Sequence, residues 1–322
     1  MRDTYNEYIE DFVKRWKYVN IYNPAKPLKT LAFVTDYNPD DDRYELQYQD
    51  RYNWNLFYNK SECTQSFINS VARKAGYGAG FALKNDTIKT LTPDETNVLI
   101  LASLKNVDAE TLSHIRKLYD NGVSLIATSD VDGLEDIFGV KKCPKTVHTD
   151  TLYYGGSEEN IYPLDIEYTY EADGAEVVVS ANEGAPAILK NGRAVLINAP
   201  ASMLGVDWYY EQVQFGRENI SALLHEAMEA VLNDITDTPV KANGCGLSAV
   251  TTKEGKTVLV LFNYTPYHME HLPSEVTVDI NIPGVKDIIC DDASFIKFTK
   301  DGCIYKLKAT LPPRSTAVIE LI

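Results

Sequence analysis

The sequence lacks an excess of positive charge, a long apolar run and any paired-cysteine motif, and each absence removes a class of function. Its 31 Lys and Arg stand against 46 Asp and Glu, a formal net charge of −15 over 322 residues. No surplus of cations exists to neutralise phosphates, which argues against a basic nucleic-acid face and against docking on anionic lipid. A neutral or cationic ligand suits this charge better. No stretch reaches the roughly 18 consecutive apolar residues of a spanning helix, and residues 1–10 carry no apolar signal segment, so a soluble, cytoplasmic protein is expected. Cys63, Cys143, Cys245, Cys290 and Cys303 are odd in number and widely spaced without a C-x-x-C, which suggests neither a disulfide framework nor a zinc site. A glycine-rich phosphate loop is also missing, because Gly76-Tyr77-Gly78-Ala79-Gly80 follows a helical stretch instead of opening one. No cofactor and no metal are expected.

What is present is a chain that is 44% hydrophobic, with a length that favours two domains, each able to bury a core. Tyr5, Tyr8, Ile9, Phe12, Val13 and Trp16 recur at helical spacing and predict an amphipathic helix in residues 1–25. From Leu28 the pattern becomes short apolar strands alternating with helices, the mark of a parallel sheet covered on both faces. The expected strands include Leu31 to Thr35, Val98 to Leu101 and Val123 to Thr128. Phe67, Ile68, Val71, Ala72 and Ala75 form a helical face ended by Gly76, and Asp108 caps a helix whose buried side is Leu112, Ile115, Leu118 and Tyr119, stopped at Gly122. Glu176 to Ser180 and a hairpin turned at Asn191-Gly192 add strands at an edge. A helix bearing Ile220, Leu224, Ala227, Met228 and Val231 closes this region. The polar, proline-bearing segment Thr236 to Asn243 ends it. Beyond lie short period-two segments, among them Leu247 to Thr251, Thr257 to Phe262, Val276 to Ile280, Ser294 to Phe298, Ile304 to Lys308 and Thr316 to Leu321, which indicate a small antiparallel sandwich. The expected division is 1–25, 26–240 and 241–322.

A doubly wound sheet binds ligands beyond the carboxyl ends of its strands. Asp36 and Tyr37, Ser103, and Ser129 with Asp130 occupy those ends and could line a polar pocket for a hydroxylated ligand, although strand-end and helix-cap polarity explains the same residues. The junction Thr128-Ser129-Asp130-Val131-Asp132-Gly133 stands where a nucleophile elbow would sit, yet it has no cysteine and no close-flanking glycines. No histidine is marked as its base, with His148 and His225 left to spatial proximity. Asp40-Asp41-Asp42 reads as a solvated charge run, and His268, Glu270 and His271 as an exposed loop. Nine of the 21 tyrosines precede Lys60. Tyr5, Tyr8, Phe12 and Trp16 are best read as a packed interface stripe.

With these parts in order, the chain resembles the region that follows the catalytic barrel in glycoside hydrolase family 42 β-galactosidases and lacto-N-biose phosphorylase-like enzymes. The residues that carry the likeness are Asn97-Val-Leu-Ile-Leu-Ala-Ser103, Asp108-Ala-Glu-Thr-Leu112, Leu118-Tyr-Asp-Asn-Gly-Val-Ser-Leu-Ile-Ala-Thr128, Gly133-Leu-Glu-Asp-Ile-Phe-Gly-Val140, Gly192-Arg-Ala-Val-Leu-Ile-Asn198 and the terminal strand from Leu311 to Leu321. The resemblance implies a flavodoxin-like (class I glutamine amidotransferase-like) α/β trimerisation domain followed by a small β-sandwich. The family's catalytic carboxylates belong to a barrel of on the order of 250 residues, for which the sequence before Leu28 leaves no room, so no catalytic residue carries over. The expectation is a non-catalytic accessory and oligomerisation protein, a trimer or a dimer, which acts beside a carbohydrate or a missing barrel domain. The alternative is a carbohydrate-binding or hydrolytic amidotransferase-like domain that uses the crevice at Asp36, Ser129 and Asp130.

Overall fold

The computed structural model describes residues 26–34, 43–46, 56–59, 64, 67–68, 71–72, 76–77, 81–83, 85–102, 104, 107–128, 130–198, 222–236, 239–252, 255–262, 274–290, 296–302, 304–312 and 315–322. The aromatic stripe Tyr5, Tyr8, Phe12 and Trp16 lies outside them, as do Asp36, Tyr37, Ser103 and Ser129. Chain contacts divide into two compact units. One comprises Thr30–Ala72 and Gly80–Asp237; the other comprises Thr238–Ile322 together with the segment ending at Lys29 and with Arg73–Ala79.

At the centre of the first unit are short apolar segments that tolerate no water on either side. Strands β2 (Leu31–Val34), β6 (Val98–Leu101), β7 (Ser124–Thr128) and β12 (Ala194–Ile197) are buried at every position, as strands covered on both faces must be. With β5 (Phe81–Leu83) they form a parallel set in the order β5-β2-β6-β7-β12. Numbered by chain order within that set, the strands run 2-1-3-4-5, so the order reverses between β2 and β6. Beyond β12 the sheet turns antiparallel through β11 (Pro186–Asn191), β10 (Glu176–Ala181), β8 (Val140–Tyr154) and β9 (Ser157–Ala172), giving nine mixed strands. A further ladder pairs β3 (Arg43–Leu46) with β4 (Leu56–Asn59).

Two of these features depart from the sequence expectations. The hairpin at Asn191-Gly192 lies inside the sheet and not at its edge, because β12 pairs with β7 on one side and β11 on the other. Ala194–Ile197 is a continuous apolar run, which suits a strand buried on both faces and not an edge. The long β8–β9 hairpin was not foreseen. Most of residues 141–146 are exposed and charged or polar, and the period-two signal emerges only in Val147 and Thr149 and in Ile166, Tyr168 and Tyr170.

Side-chain parity decides which helix covers which face. Leu99, Leu101, Leu125, Ala127, Ala194 and Leu196 share a cluster with Ile115 and Leu118 of α1 (Ala109–Asp120) and Phe138 of α2 (Glu135–Phe138). Asp108 caps α1 as expected, its carboxylate accepting from Thr111 N at 2.8 Å. The alternate residues point to the opposite face, where the Ser124 hydroxyl donates to the carbonyl of Ile235 at the end of α3 (Ala222–Ile235) at 2.6 Å. On that face too, the helical residue Thr64 meets Thr128 at 3.2 Å, and the ring of Phe67 packs edge-on against His225 at 4.8 Å. Among the described residues no helix is long and apolar enough to cross a membrane.

The second unit is two antiparallel sheets around one core. The five-stranded sheet runs β1 (Lys26–Pro27), β14 (Gly246–Thr251), β15 (Thr257–Phe262), β20 (Thr316–Leu321) and β17 (Ile288–Cys290); the four-stranded sheet runs β13 (Val240–Asn243), β16 (Ser274–Ile280), β19 (Ile304–Leu311) and β18 (Ile296–Asp301). Strict alternation along β19 and β20 sends Tyr305, Leu307, Ala309 and Leu311 from one sheet, and Ala317, Ile319 and Leu321 from the other, into a common cluster with Val278 and Leu259. Cys245 is buried at its margin, and burial pushes its thiol up to about 12, so it stays protonated and inert. Lys26 and Pro27, which the sequence pattern assigns to the α/β region, pair here with Thr251 and Val250 at the outer edge of a sheet, where proline's missing N–H does no harm.

Two glycines of this unit share a φ of +79° but differ in surroundings. A Cβ on Gly244 would stand 2.1 Å from the backbone carbonyl oxygen of Glu275, whereas one on Gly255 would meet nothing within 4 Å. Each substitution by alanine therefore carries the same left-handed penalty of about 1–2 kcal/mol. Gly244→Ala is expected to lose about 1–3 kcal/mol more through the backbone clash. Urea unfolding of the two variants measures the difference directly, and equal losses would show that the Gly244 contact is relieved at no cost.

Candidate functional site at the carboxyl ends of β7 and β12

Polar residues collect just beyond β7 and β12, at the end of the sheet where ligands bind in such folds. Of the five residues expected there, Asp130 is described, and it is partly buried. Its neighbour at the strand end, Thr128, is fully buried and donates its hydroxyl to the Ala102 carbonyl at 3.1 Å. That hydroxyl ties β7 to the segment after β6 and is not presented to solvent.

Asp130 Oδ1 accepts from the backbone N–H of Asp132 at 3.0 Å, closing an Asx turn, and from the phenolic O–H of Tyr170 at 3.0 Å. The same phenol oxygen lies 3.3 Å from Asp132 Oδ1 and accepts the N–H of Val131 at 3.1 Å. Tyr170 is 1% exposed and its ring belongs to the core of the unit. Burial, reinforced by the two carboxylates, pushes the phenol well above its ordinary value, so Tyr170 is a permanent donor and not a base near neutral pH. Lys142 of β8 spans both oxygens of Asp132 at 2.9 and 3.1 Å, which holds that carboxyl below its usual range and raises the ammonium in turn.

The main chain of Tyr170 is fixed by Asn198, the residue after β12. Asn198 Oδ1 accepts from Tyr170 N at 3.2 Å, and its Nδ2 donates to the carbonyls of Tyr170 at 2.8 Å and Pro186 at 2.9 Å. Asn198 is 3% exposed, and its carboxamide serves as a single peptide unit of a missing strand. The arrangement joins the turn after β7, the end of β12 and strand β9. Among the described residues each hydroxyl and amide in it is bonded within the protein, an arrangement that can hold a loop and display carboxylates.

Of the histidines considered for an elbow, His148 pairs with Asp165 at 2.8 Å on the exposed side of β8–β9, and the ring of His225 packs edge-on against Phe67. Glu183 is exposed, has a left-handed φ of 57° in the β10–β11 turn, and pairs with Lys145 at 2.9 Å. Among the described residues no three His, Cys, Asp or Glu side chains gather as metal ligands. Tyr170, Asn198 and Lys142 escaped the sequence reading. The alternation of Ile166, Tyr168 and Tyr170 was the available signal for the strand that carries the phenol.

No protein-family model matches the chain, and no curated protein matches it. Solved structures do. The chain is similar to α-L-fucosidase isoenzyme 2 from Paenibacillus thiaminolyticus with a TM-score of 0.61 at 11% identity, over 96% of this chain and 51% of that one. It therefore shares a fold with a stretch of that protein while spanning about half its length. Looser overlays are found with a β-galactosidase from Marinomonas ef1, at a TM-score of 0.46, 11% identity, 92% of this chain and 38% of that one. A glutamine amidotransferase from Thermotoga maritima overlays with 0.35, 9%, 64% and 96% respectively. These two carry no argument.

Tyr170→Phe keeps the ring but leaves the N–H of Val131, a fully buried residue, without its acceptor. It is expected to cost about 1–3 kcal/mol in urea unfolding. Asn198→Ala, which orphans three backbone groups, should cost more. A neutral Tyr170→Phe would show that the phenol does not hold the turn.

The raised phenol pKa also has a pH signature. Above the ordinary value of 10 the unfolded chain releases a proton that the folded chain retains, so this contribution to stability is present below pH 10 and lost as pH rises toward the folded value. Tyr168, likewise raised by burial, adds to the same fall. Tyr170→Phe should therefore flatten, without abolishing, the loss of stability above pH 10. An unchanged alkaline slope would contradict the assignment.

Proposed function

We propose that this chain is a non-catalytic accessory and oligomerisation unit related to the post-barrel region of carbohydrate-active glycoside hydrolases or phosphorylases. On this reading the first unit is a flavodoxin-like, class I amidotransferase-like domain, the second a β-sandwich, and the protein works in the cytoplasm. The observation that carries it is the state of the elbow position. The described side chains there, Thr128, Asp130 and Tyr170, spend their hydroxyls and a carboxylate oxygen on one another and on backbone groups. The 2-1-3-4-5 order of the parallel strands supports the flavodoxin-like assignment. The shared fold with part of a fucosidase supports the carbohydrate relation. Self-association would run through the α/β unit with the stripe Tyr5, Tyr8, Phe12 and Trp16, a set of apolar side chains of the kind that marks an interaction surface.

The rival is a ligand-binding or hydrolytic crevice lined by Asp36, Tyr37, Ser103, Ser129 and Asp130. Two measurements on the full chain separate them. Sedimentation should report a species heavier than the 36.1 kDa monomer, and Phe12→Asp should dissociate it while circular dichroism stays unchanged. Aryl galactosides, aryl fucosides and glutamine should not be turned over. A monomer throughout the micromolar range would end the oligomerisation proposal, and turnover lost in Asp130→Ala would replace it with the crevice.

A further inference from the structure

The tip of the β8–β9 hairpin carries a group of side chains that nothing in the fold requires. Leu152 faces inward and is fully buried, so its neighbours Thr151 and Tyr153 face outward, and Tyr153 is 40% exposed. Across the ladders Tyr153 stands opposite Ser180 of β10 on one side and Glu158 of β9 on the other. Two pairs further from the tip, and so on the same face, Thr151 stands opposite Asn160, its hydroxyl 3.4 Å from Asn160 Oδ1. Glu158 and Asn160 are exposed. Residues opposite one another across a ladder share a face. One flat surface therefore presents an aromatic ring flanked by a hydroxyl, a carboxylate and a carboxamide. Three strands by two residue pairs make a patch of roughly 10 by 7 Å, which seats one pyranose ring.

The turn beside that surface is itself uncrowded. Gly155 and Gly156 have φ of 57° and 85°, the left-handed pair that a two-residue hairpin turn demands, and added Cβ atoms there would meet nothing within 4 Å. Ser180, Thr151, Glu158 and Asn160 supply hydroxyl, carboxylate and amide groups but no cation, so the patch favours an uncharged ligand with many hydroxyls over an anionic one. A ring face that packs on C–H groups beside such acceptors and donors is the chemistry of sugar recognition.

We propose that Tyr153, with Glu158, Asn160, Thr151 and Ser180, forms a binding platform for a neutral sugar residue. It rests on the carbohydrate relation proposed above and adds a site distinct from the strand-end crevice. One exposed ring and a few hydrogen bonds predict a dissociation constant of about a millimolar.

The test is saturation-transfer NMR on the full chain with methyl β-galactopyranoside and methyl α-fucopyranoside as probes. At least one should receive saturation, with Tyr153→Phe retaining affinity and Tyr153→Ala losing about tenfold, while Ile289→Ala, an exposed apolar change in the other unit, has no effect. Glucuronate should bind less well than either neutral probe. Binding that survives Tyr153→Ala overturns the platform yet leaves the carbohydrate relation standing. Absence of transfer from both probes at about 20 mM, well above a millimolar constant, overturns the platform, and sedimentation then decides the accessory reading on its own.

Discussion

One buried carboxamide closes the sheet at its most demanding point. A sheet covered on both faces leaves no water for its backbone groups, so each N–H and C=O needs a protein partner. On the edge of β9 that lies away from β8, Asn198 provides one acceptor for Tyr170 N and donors for the carbonyls of Tyr170 and Pro186. Aspartate has the same shape but cannot donate, and serine cannot do all three at once. With its main chain set in this way, Tyr170 aims its phenol at Val131 N and at Asp130, and so defines the turn that follows β7. Loss of the amide would propagate to the phenol and from there to the loop, since each step is a buried bond whose partner has no substitute.

This dependence also explains how far the sequence could be read. Val98–Leu101 and Thr257–Phe262 were legible to the residue, and the Asp108 cap and the turn at Asn191-Gly192 were found, because each rests on local physics: apolar period, cap chemistry, turn chemistry. The hairpin β8–β9 was not legible. Its first strand opens with exposed residues Lys141 to Thr146, interrupted by Pro144 and a register shift between Lys142 and Lys145, so the period of two is broken where a reader would look for it. β13 and β17 are only four and three residues long, too short to rise above the surrounding polar sequence. The site was half legible: Asp130 follows from its place after a strand, whereas Tyr170 and Asn198 are 40 and 68 residues further along the chain and meet it only through the antiparallel extension.

That extension changes what a parallel sheet of this order can do. In an open doubly wound sheet the carboxyl ends leave a crevice for ligands. Here β11 and β12 reverse the direction of the sheet, and β8–β9 returns with an inward row of Ile166, Tyr168 and Tyr170. The space beyond β7 and β12 is thereby occupied by a phenol and an amide from the chain itself. Bonds that would otherwise orient a ligand are made internally, and the carboxylate of Asp132 is neutralised by Lys142.

Chemistry excluded from one place must sit elsewhere or be absent. Within the first unit, the β8–β9 row meets the parallel set at the ends of β7 and β12, on the far side of β6 from the reversal of strand order between β2 and β6. The outward side of the hairpin is a polar surface, with the Lys141–Glu171 and His148–Asp165 pairs along it. Exposed pairs of this kind add little stability. A hairpin anchored by a buried Asn–Tyr pair at its base thus turns Tyr153 outward on the face opposite the buried Leu152.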